Sequence, residues 1–588
     1  MTLARSSLAM LAVCLLSFST VLLRATEAPR PGNFDGPAEL PRVYMNTDLS
    51  ATPSPGRHIQ LKDPDNLQEA LESASCGDTL ELHQGATYRG LFKLPAKRCD
   101  DAHWITIRTS AADSELPHEG TRLTPCYAGV ASLPGRPDFH CPAPKNVMAR
   151  IVFPARNGSG PLLLENGANH YRFIGLEITR DPDASVYNLL SGAKGGTADH
   201  LVFDRVWMHG TAQDETNRGL LLSGMMYVGV VDSYFSDFHC TARSGACVDA
   251  QAIAGGLGSN PMGIYKISNN FLEGAAETII FGGGPATEVP ADIEIRRNYM
   301  FKPWTWMPGH PQFVGAANGN PFIVKNLFEL KNAQRVLLEG NIMENTWGGF
   351  SQAGYGVVLT PKNQVPNVCP LCQVTDITIR YCRISHVGSG FQIGNGLSDT
   401  GGAAKAGERY SIHDVVVDDI QGKPLKGFGV LAQVSMAAPT LHDVFMDHIT
   451  AFPPDSVLLI GGPRGENRMF NFTLTNSIVY SGDRQVTTTG GGPKNCSAGA
   501  DKRGPAEVLD QCFGSYAVHH NAIIGGGSWP KGNMFPRKPG DVQFVNFANG
   551  KDGDYSLSGR SKFKRAGSDG KDLGADIDAI RQATAGVQ

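Results

Sequence analysis

The chain has no surplus of either charge, no dense Lys/Arg block and, past its first residues, no long apolar run. Lys+Arg number 52 and Asp+Glu 56 over 588 residues, a net charge of −4. That balance excludes a globally basic nucleic-acid binder. With 41% hydrophobic and 18% charged residues the chain is too apolar and too weakly charged to be disordered. No segment after residue 23 is long and apolar enough to span a bilayer. Glycine is in excess, 69 residues, but without a three-residue period, which excludes collagen. A glycine-rich, turn-rich and otherwise foldable chain points to many short strands.

The N-terminus reads as a secretory signal over residues 1–28. Arg5 supplies the positive start, residues 8–23 are apolar, and Ala25 and Ala28 offer small-residue cleavage points. A membrane anchor is the alternative, for which 8–23 is short. Cys14 follows Val13, which is not small, so a lipoprotein site is disfavoured. The mature chain is therefore expected to be secreted or periplasmic, without a membrane span, and monomeric. Ten of its cysteines fall into near-sequence pairs: Cys76 and Cys99, Cys126 and Cys141, Cys240 and Cys247, Cys369 and Cys372, Cys496 and Cys512. Export favours disulfides. Cys369-Pro-Leu-Cys372 has no second CxxC or HxxxH to complete a zinc site, so it too is read as a disulfide. Cys382 is left over, as a small buried apolar residue.

A motif recurs without fixed length: alternating apolar and polar residues, then Asn or Asp, then another apolar pair. It is seen around Asp204, Asn269, Asn298, Asn341, Cys382, Asn476 and Asn521. Alternation means strands with one buried face. Asn and Gly tolerate the left-handed backbone of a sharp bend, so the Asn is expected to make that bend. A second apolar run lies in each interval, as in Gly219-Leu-Leu-Leu and Gly390-Phe-Gln-Ile. Two strands, a tight turn and a variable loop per coil predict an all-β chain, a parallel β-solenoid with a continuous core. Asn66 to Ala74 reads as an amphipathic helix capping the open first coil. Residues 29–109 would form the N-terminal segment, capping helix and first coils, 110–165 a disulfide-pinned insertion, 166–547 the solenoid, and 548–588 a tail whose Asp576 to Ile580 is a short C-terminal cap.

The helix, the start Gly77-Asp-Thr-Leu-Glu-Leu-His-Gln-Gly-Ala-Thr-Tyr and the Asn-turn coils resemble the right-handed parallel β-helix of the pectate-lyase-like superfamily. Asp292 to Asn298 and Phe328 to Arg335 resemble secreted bacterial members without an assigned reaction. The resemblance implies the fold, with long inserted loops, for residues 60–545. Polygalacturonase-like hydrolases carry Asp-Asp, Gly-His-Gly and Arg-Ile-Lys, of which only Asp418-Asp419 is present. Extracellular pectate lyases carry Trp-Ile-Asp-His, against Val206-Trp207-Met208-His209 here.

Stacked coils would gather distant charges into a stripe. Arg218, Asp249, Glu277, Lys325, Asn326, Glu329, Lys331, Lys362 and Asn363 are predicted to lie near one face. Such a stripe suits an acidic polysaccharide cleaved by β-elimination, in which a base takes the proton α to a uronate carboxylate while a cation neutralises the developing charge. Asp249 and Glu277 would be calcium ligands, calcium being the only cofactor suggested. Lys325 or Lys331 would be the base, its pKa lowered by neighbouring cations, with Arg297 holding the carboxylate. Arg218, Arg296, Lys362 and the aromatic loop of Trp304 and Trp306 would contact the glycan. The plainer readings are turn-bonding acids, a surface ladder at Glu329 and Lys331, ion pairs at Arg296 and Arg297, and a packed aromatic loop. His209 and His239 lack metal-ligand spacing. A non-catalytic glycan-binding or structural protein, and a glycoside hydrolase using Asp249 and Glu277, are the alternatives.

Overall fold

A computed structural model describes residues 33–62, 66–241, 247–396, 402–490 and 492–588. The predicted signal, 1–28, lies outside them. Most coils contain three strands, and in two the first and second merge into one continuous strand, Ala406–Ile420 and His442–Ala451. In one three-stranded coil the strands are Ala168–Ile174, Leu176–Arg180 and Val186–Gly192, after which the chain enters the next coil at Ala198–Asp204. Equivalent strands pair in parallel, building first, second and third sheets along one tube. The winding is a parallel β-helix, in the right-handed sense that crossover connections favour, so the expected fold class is the one found.

Register is kept over hundreds of residues. Tyr171, Leu201, Val228, Tyr265, Ile293, Val336, Ile377, Tyr410, Val444 and Phe472 lie one above another in the first sheet. All are buried in one continuous core. Period-2 alternation puts every second residue of each strand on that axis.

The bend between first and second sheets differs from the sequence expectation. The left-handed residue is Arg205, Asp232, Asn269, Arg297, Gly340, Tyr381, Asp414, His448, Asn476 or His520 in successive coils, so most are neither Asn nor Gly. The asparagine that follows does different work. Asn270, Asn298 and Asn341 stack in a buried ladder: Asn270 N–H donates to Asn298 Oδ1 at 3.0 Å, and Asn298 N–H to Asn341 Oδ1 at 2.9 Å. Their Nδ2 groups satisfy the carbonyls of Val230, Ile267 and Ile295. The amide side chains thus pair backbone groups that the bend removes from the sheet ladder. Cys382 continues this column as a buried free thiol. Gly340 is needed for space as well, since the C-terminal tail passes so closely that a Cβ would sit 2.8 Å from Ala583 O.

Helix α1 (Leu67–Ser73) is capped by Asn66, which accepts from Glu69 N–H, and buries Leu67 and Leu71 against the first coil. The opposite end is closed by α2 (Pro505–Cys512), whose Val508, Leu509 and Cys512 join the main core. The predicted cap at 576–580 is instead the start of α3 (Ile577–Thr584), which lies against the side of the tube. All five predicted disulfides are formed. The boundaries also shift. After a short hairpin of Phe34–Asp35 and Ala38–Glu39, the strands of the tube begin at His58–Leu61, and Ala149–Phe153 and Leu162–Leu164 already belong to the second and third sheets, so the insertion spans 110–148.

Three segments cover two of the three faces. Residues 33–55 cross the first sheet, through Asp35 on Arg380 at 2.6 Å, Arg42 N–H on Asp292 at 2.9 Å and Thr47 O on Arg172 at 2.8 Å. The insertion packs Leu123, Ala128 and Met148 against Trp207, Tyr234 and Phe271 of the second sheet. It is pinned by Arg136, buried between Asp237 and Glu273 at 2.6 Å each. The tail covers the rest of that sheet. The outer face of the third sheet carries none of these segments. Replacing Asn298 by Ala should cost about 3 kcal/mol by denaturant unfolding, because it strands buried donors and acceptors on both neighbouring coils; a loss under roughly 0.5 kcal/mol would rule out this role for the ladder.

Candidate functional site

The exposed third-sheet face holds a cleft of about 470 Å3. Its floor is a register-matched row of Ala254, Ile280, Glu329, Val358 and Gln392. Arg218, Asp249, Gln251 and Lys325 line one edge and Lys331 and Lys362 the other. Lys362 N–H donates to Lys331 O at 3.2 Å, which ties the second edge together. Arg218 sits beside Gln251 in register, and Gln251 Nε2 donates to Glu277 Oε2 at 2.8 Å. Residues separated by over a hundred positions meet here because each coil returns the chain to the same sheet.

Charges in the cleft are paired closely. Lys325 Nζ lies 2.7 Å from Asp249 Oδ1 and 3.3 Å from Glu277 Oε1. Lys331 Nζ lies 2.8 Å from Glu329 Oε1. Burial acts to lower Lys325, but Glu277 and Asp249 outweigh it and hold its pKa above the usual lysine value. Lys331 is raised likewise, with Glu329 and Glu277 overcoming its burial. The sequence expectation of a lysine base with a lowered pKa is therefore corrected: carboxylates, not cations, are the nearest neighbours, and both ammonium groups stay charged. Burial, then the charge of Glu277, push Asp249 upward. Glu277 is buried too, but Lys325, Lys331 and the Gln251 bond bring it below the usual glutamate value. Burial raises Glu329 and lowers Arg218. Arg218 Nε, Gln251 Oε1 and Glu329 Oε2 are buried without a protein hydrogen bond among the described residues. Donor and acceptor capacity is thus left over in the cleft.

The calcium expectation meets the same ammonium. Asp249 and Glu277 present their oxygens to Lys325 Nζ, and that group supplies the cation between them. As arranged, this pair does not fit the oxygen cage calcium requires.

Other predicted residues lie elsewhere. Arg297 makes the second-sheet bend and donates to the carbonyls of Ala583 and Ala585 at 2.8 and 2.7 Å. Arg296 pairs with Glu294 and Glu339 on the first sheet. Both are joined to the wrong faces for the cleft. Trp306 is buried, edge-on to Phe322, and Trp304 stacks on Trp347 at 5.7 Å. They support a neighbouring cavity of about 330 Å3, lined by Phe322, Trp347 and Phe350, rather than the charged cleft. Asn326 and Asn363 are buried, the latter holding Cys369 N–H at 2.8 Å. His209 bonds Glu177 at 3.0 Å and His239 stacks on Phe322 at 3.7 Å, neither near the cleft.

Sequence reasoning missed Phe350. Its ring is 60% exposed and 5.7 Å from Lys325 Nζ, at the junction of the two cavities. The run Trp347-Gly-Gly-Phe350-Ser351-Gln352 was a readable signal, an aromatic held out on glycines. It also missed the role of Lys302, which is fully buried and whose Nζ reaches Gly274 O at 2.5 Å, Ala276 O at 3.0 Å and Thr278 Oγ1 at 3.2 Å. Lys302 thereby braces the turn that carries Glu277.

No family model and no curated protein matches the chain. Among solved structures it is similar to an alginate lyase from Paenibacillus sp. str. FPU-7, at 14% identity and a TM-score of 0.33, over 69% of this chain and 95% of that one. It is similar to pectate lyase Pel9A at 12% identity and a TM-score of 0.33, over 90% and 98%. A Family 28 exopolygalacturonase of Yersinia enterocolitica matches at 11% identity and a TM-score of 0.32, over 80% and 79%. At these identities the likeness does not reach the side chains that would perform a reaction.

Burial pushes Lys302 from 10.5 down to about 7. Between those values the unfolded chain binds a proton that the folded chain does not, so this group makes stability rise with pH from about 7 to 10.5. Lys302→Met should remove that rise in denaturant midpoint; an unchanged slope would show that Lys302 is not the group responsible.

Proposed function

We propose that the chain is a carbohydrate-active β-helix protein whose third-sheet cleft takes an acidic polysaccharide and cleaves it by β-elimination. The observation that carries this reading is the meeting of Arg218, Lys325, Lys331 and Lys362 with Asp249 in one open cleft. An extended polymer suits a face that runs along the tube. Guanidinium and ammonium groups are the natural partners of a uronate carboxylate.

The roles follow from the electrostatics. Lys331, Lys362 and Arg218 hold the uronate carboxylate and neutralise the charge that develops when its α-proton leaves. Asp249 is the more exposed of the acids bridged by Lys325, and its raised pKa suits it to accept that proton. The C–H electron pair becomes the new double bond and the β-oxygen departs. Lys325, held protonated, supplies the proton that the departing oxygen takes up.

Incubating the mature chain with polyuronates should produce unsaturated uronate, read by its ultraviolet absorbance. Lys331→Ala and Lys325→Ala should each lower kcat by roughly 100-fold or more, the scale of losing one charge-stabilising group. Arg297→Ala, which touches the tail, should leave kcat unchanged. Added calcium or chelator should not change the rate, because Lys325 already occupies the place between the acids. Binding without product on every polyuronate tested would replace the lyase by a glycan-binding protein, and no binding would end the proposal.

A further inference from the structure

A second constellation lies on the first sheet, away from the cleft. His170 and His200 occupy equivalent places in successive strands, Ala168–Ile174 and Ala198–Asp204. Both have a left-handed backbone, with φ of 55° and 52°, which turns the two side chains the same way. Their rings stack at 4.5 Å with 3° between planes. Tyr227 of the next coil stacks on His200 at 4.5 Å, and Trp104 stands edge-on to His170 at 5.0 Å. The rings are therefore held in a fixed orientation.

Hydrogen bonding sets their tautomers. Asn169 Nδ2 donates to Lys97 O at 2.8 Å and Gly167 O at 2.9 Å, which leaves Oδ1 as the atom facing His170 Nδ1 at 2.8 Å. His170 Nδ1 must then carry the hydrogen. His200 Nδ1 lies 2.6 Å from Asp199 Oδ1, and a carboxylate can only accept from it. Nε2 is then the nitrogen of each ring left to bind: it carries the lone pair when the ring is neutral, and His170 Nε2 hydrogen-bonds Asp101 Oδ1 when that ring takes up a second proton. Both Nε2 atoms turn to the same oxygen, Asp101 Oδ1, at 3.2 and 3.8 Å. The three ligand atoms lie within 4.8 Å of one another. Lone pairs converging on one point from rings whose far nitrogens are anchored are the arrangement that orients imidazole toward a metal.

We propose that Asp101, His170 and His200 bind a divalent transition metal of the zinc class. Two imidazoles and one carboxylate suit zinc, cobalt, nickel or copper, and not the all-oxygen preference of calcium or magnesium. Asp101 is 83% exposed and free to swing the short distance to bonding range, and solvent can supply the remaining position. The metal would tie the segment after Cys99 to two coils of the first sheet. This site is independent of the cleft and of the reaction proposed there.

The test uses the chelator-treated full chain titrated with Co2+. One equivalent should give a visible d–d absorption band that Zn2+ abolishes and Ca2+ does not. Zn2+ should raise Tm. His200→Ala and Asp101→Asn should both lose the band and the rise in Tm; Asp101 is exposed, so its variant reports even where the histidine variant folds poorly. His386→Ala, in the separate group of Glu344, His386 and Asp552, should keep both. No band in the parent chain, or a band that survives Asp101→Asn and His200→Ala, would overturn the site.

Discussion

Every contact beyond a single coil depends on the parallel hydrogen-bond ladder holding one register from coil to coil. A strand pairs only with its equivalents above and below, so a one-residue slip would turn its core side chains outward. The column from Tyr171 to Phe472 shows that register holding through loops of very different length. The asparagine ladder reinforces it where the sheet hydrogen bonds are interrupted by the bend. Once register is set, residues thirty or forty positions apart become neighbours, and charges such as Arg218, Lys325 and Lys362 share a cleft.

A tube of this kind has three faces and two ends, each with its own exposure problem. Helices α1 and α2 close the ends, where unpaired strands would otherwise be open to other chains. The N-terminal segment covers the first sheet; the insertion and the tail cover the second. The third sheet keeps its outer face, and a cluster of partly buried, paired charges lies there. The placement is a consequence of where the covering segments end, which is why Arg297, on a covered face, is bound to the tail.

The cleft illustrates how burial changes the role of a residue. Surface lysines beside one another would lower each other's pKa. Here each is drawn against a carboxylate in a partly dry setting, and the attraction outweighs desolvation. Both lysines are held protonated, and in the proposed reaction the base is Asp249, whose pKa burial and Glu277 raise, while Lys325 gives its proton to the departing oxygen. Lys302, bonded to carbonyls and a hydroxyl, goes the opposite way because its burial outweighs the charges of Glu277 and Glu273. The same side chain thus serves opposite electrostatic ends within one neighbourhood.

Much was legible from residues alone. Period-2 alternation specifies the strands, and the recurring asparagine marks where the bend falls, although the left-handed residue is mostly another type and the ladder asparagine follows it. Cysteine proximity in sequence specifies the five disulfides, since short loops bring the partners close. The stripe from Arg218 to Lys362 was readable because stacking turns sequence interval into spatial neighbourhood. What local pattern cannot carry is the path of segments that obey no repeat. The wrap of residues 33–55, the true cap at Pro505–Cys512 and the return of the tail past Gly340 are tertiary decisions, made by whichever apolar face was left to cover. Register and packing between coils decided that Arg296 and Arg297 lie away from the cleft, that Trp306 is core, and that the lysines meet carboxylates first.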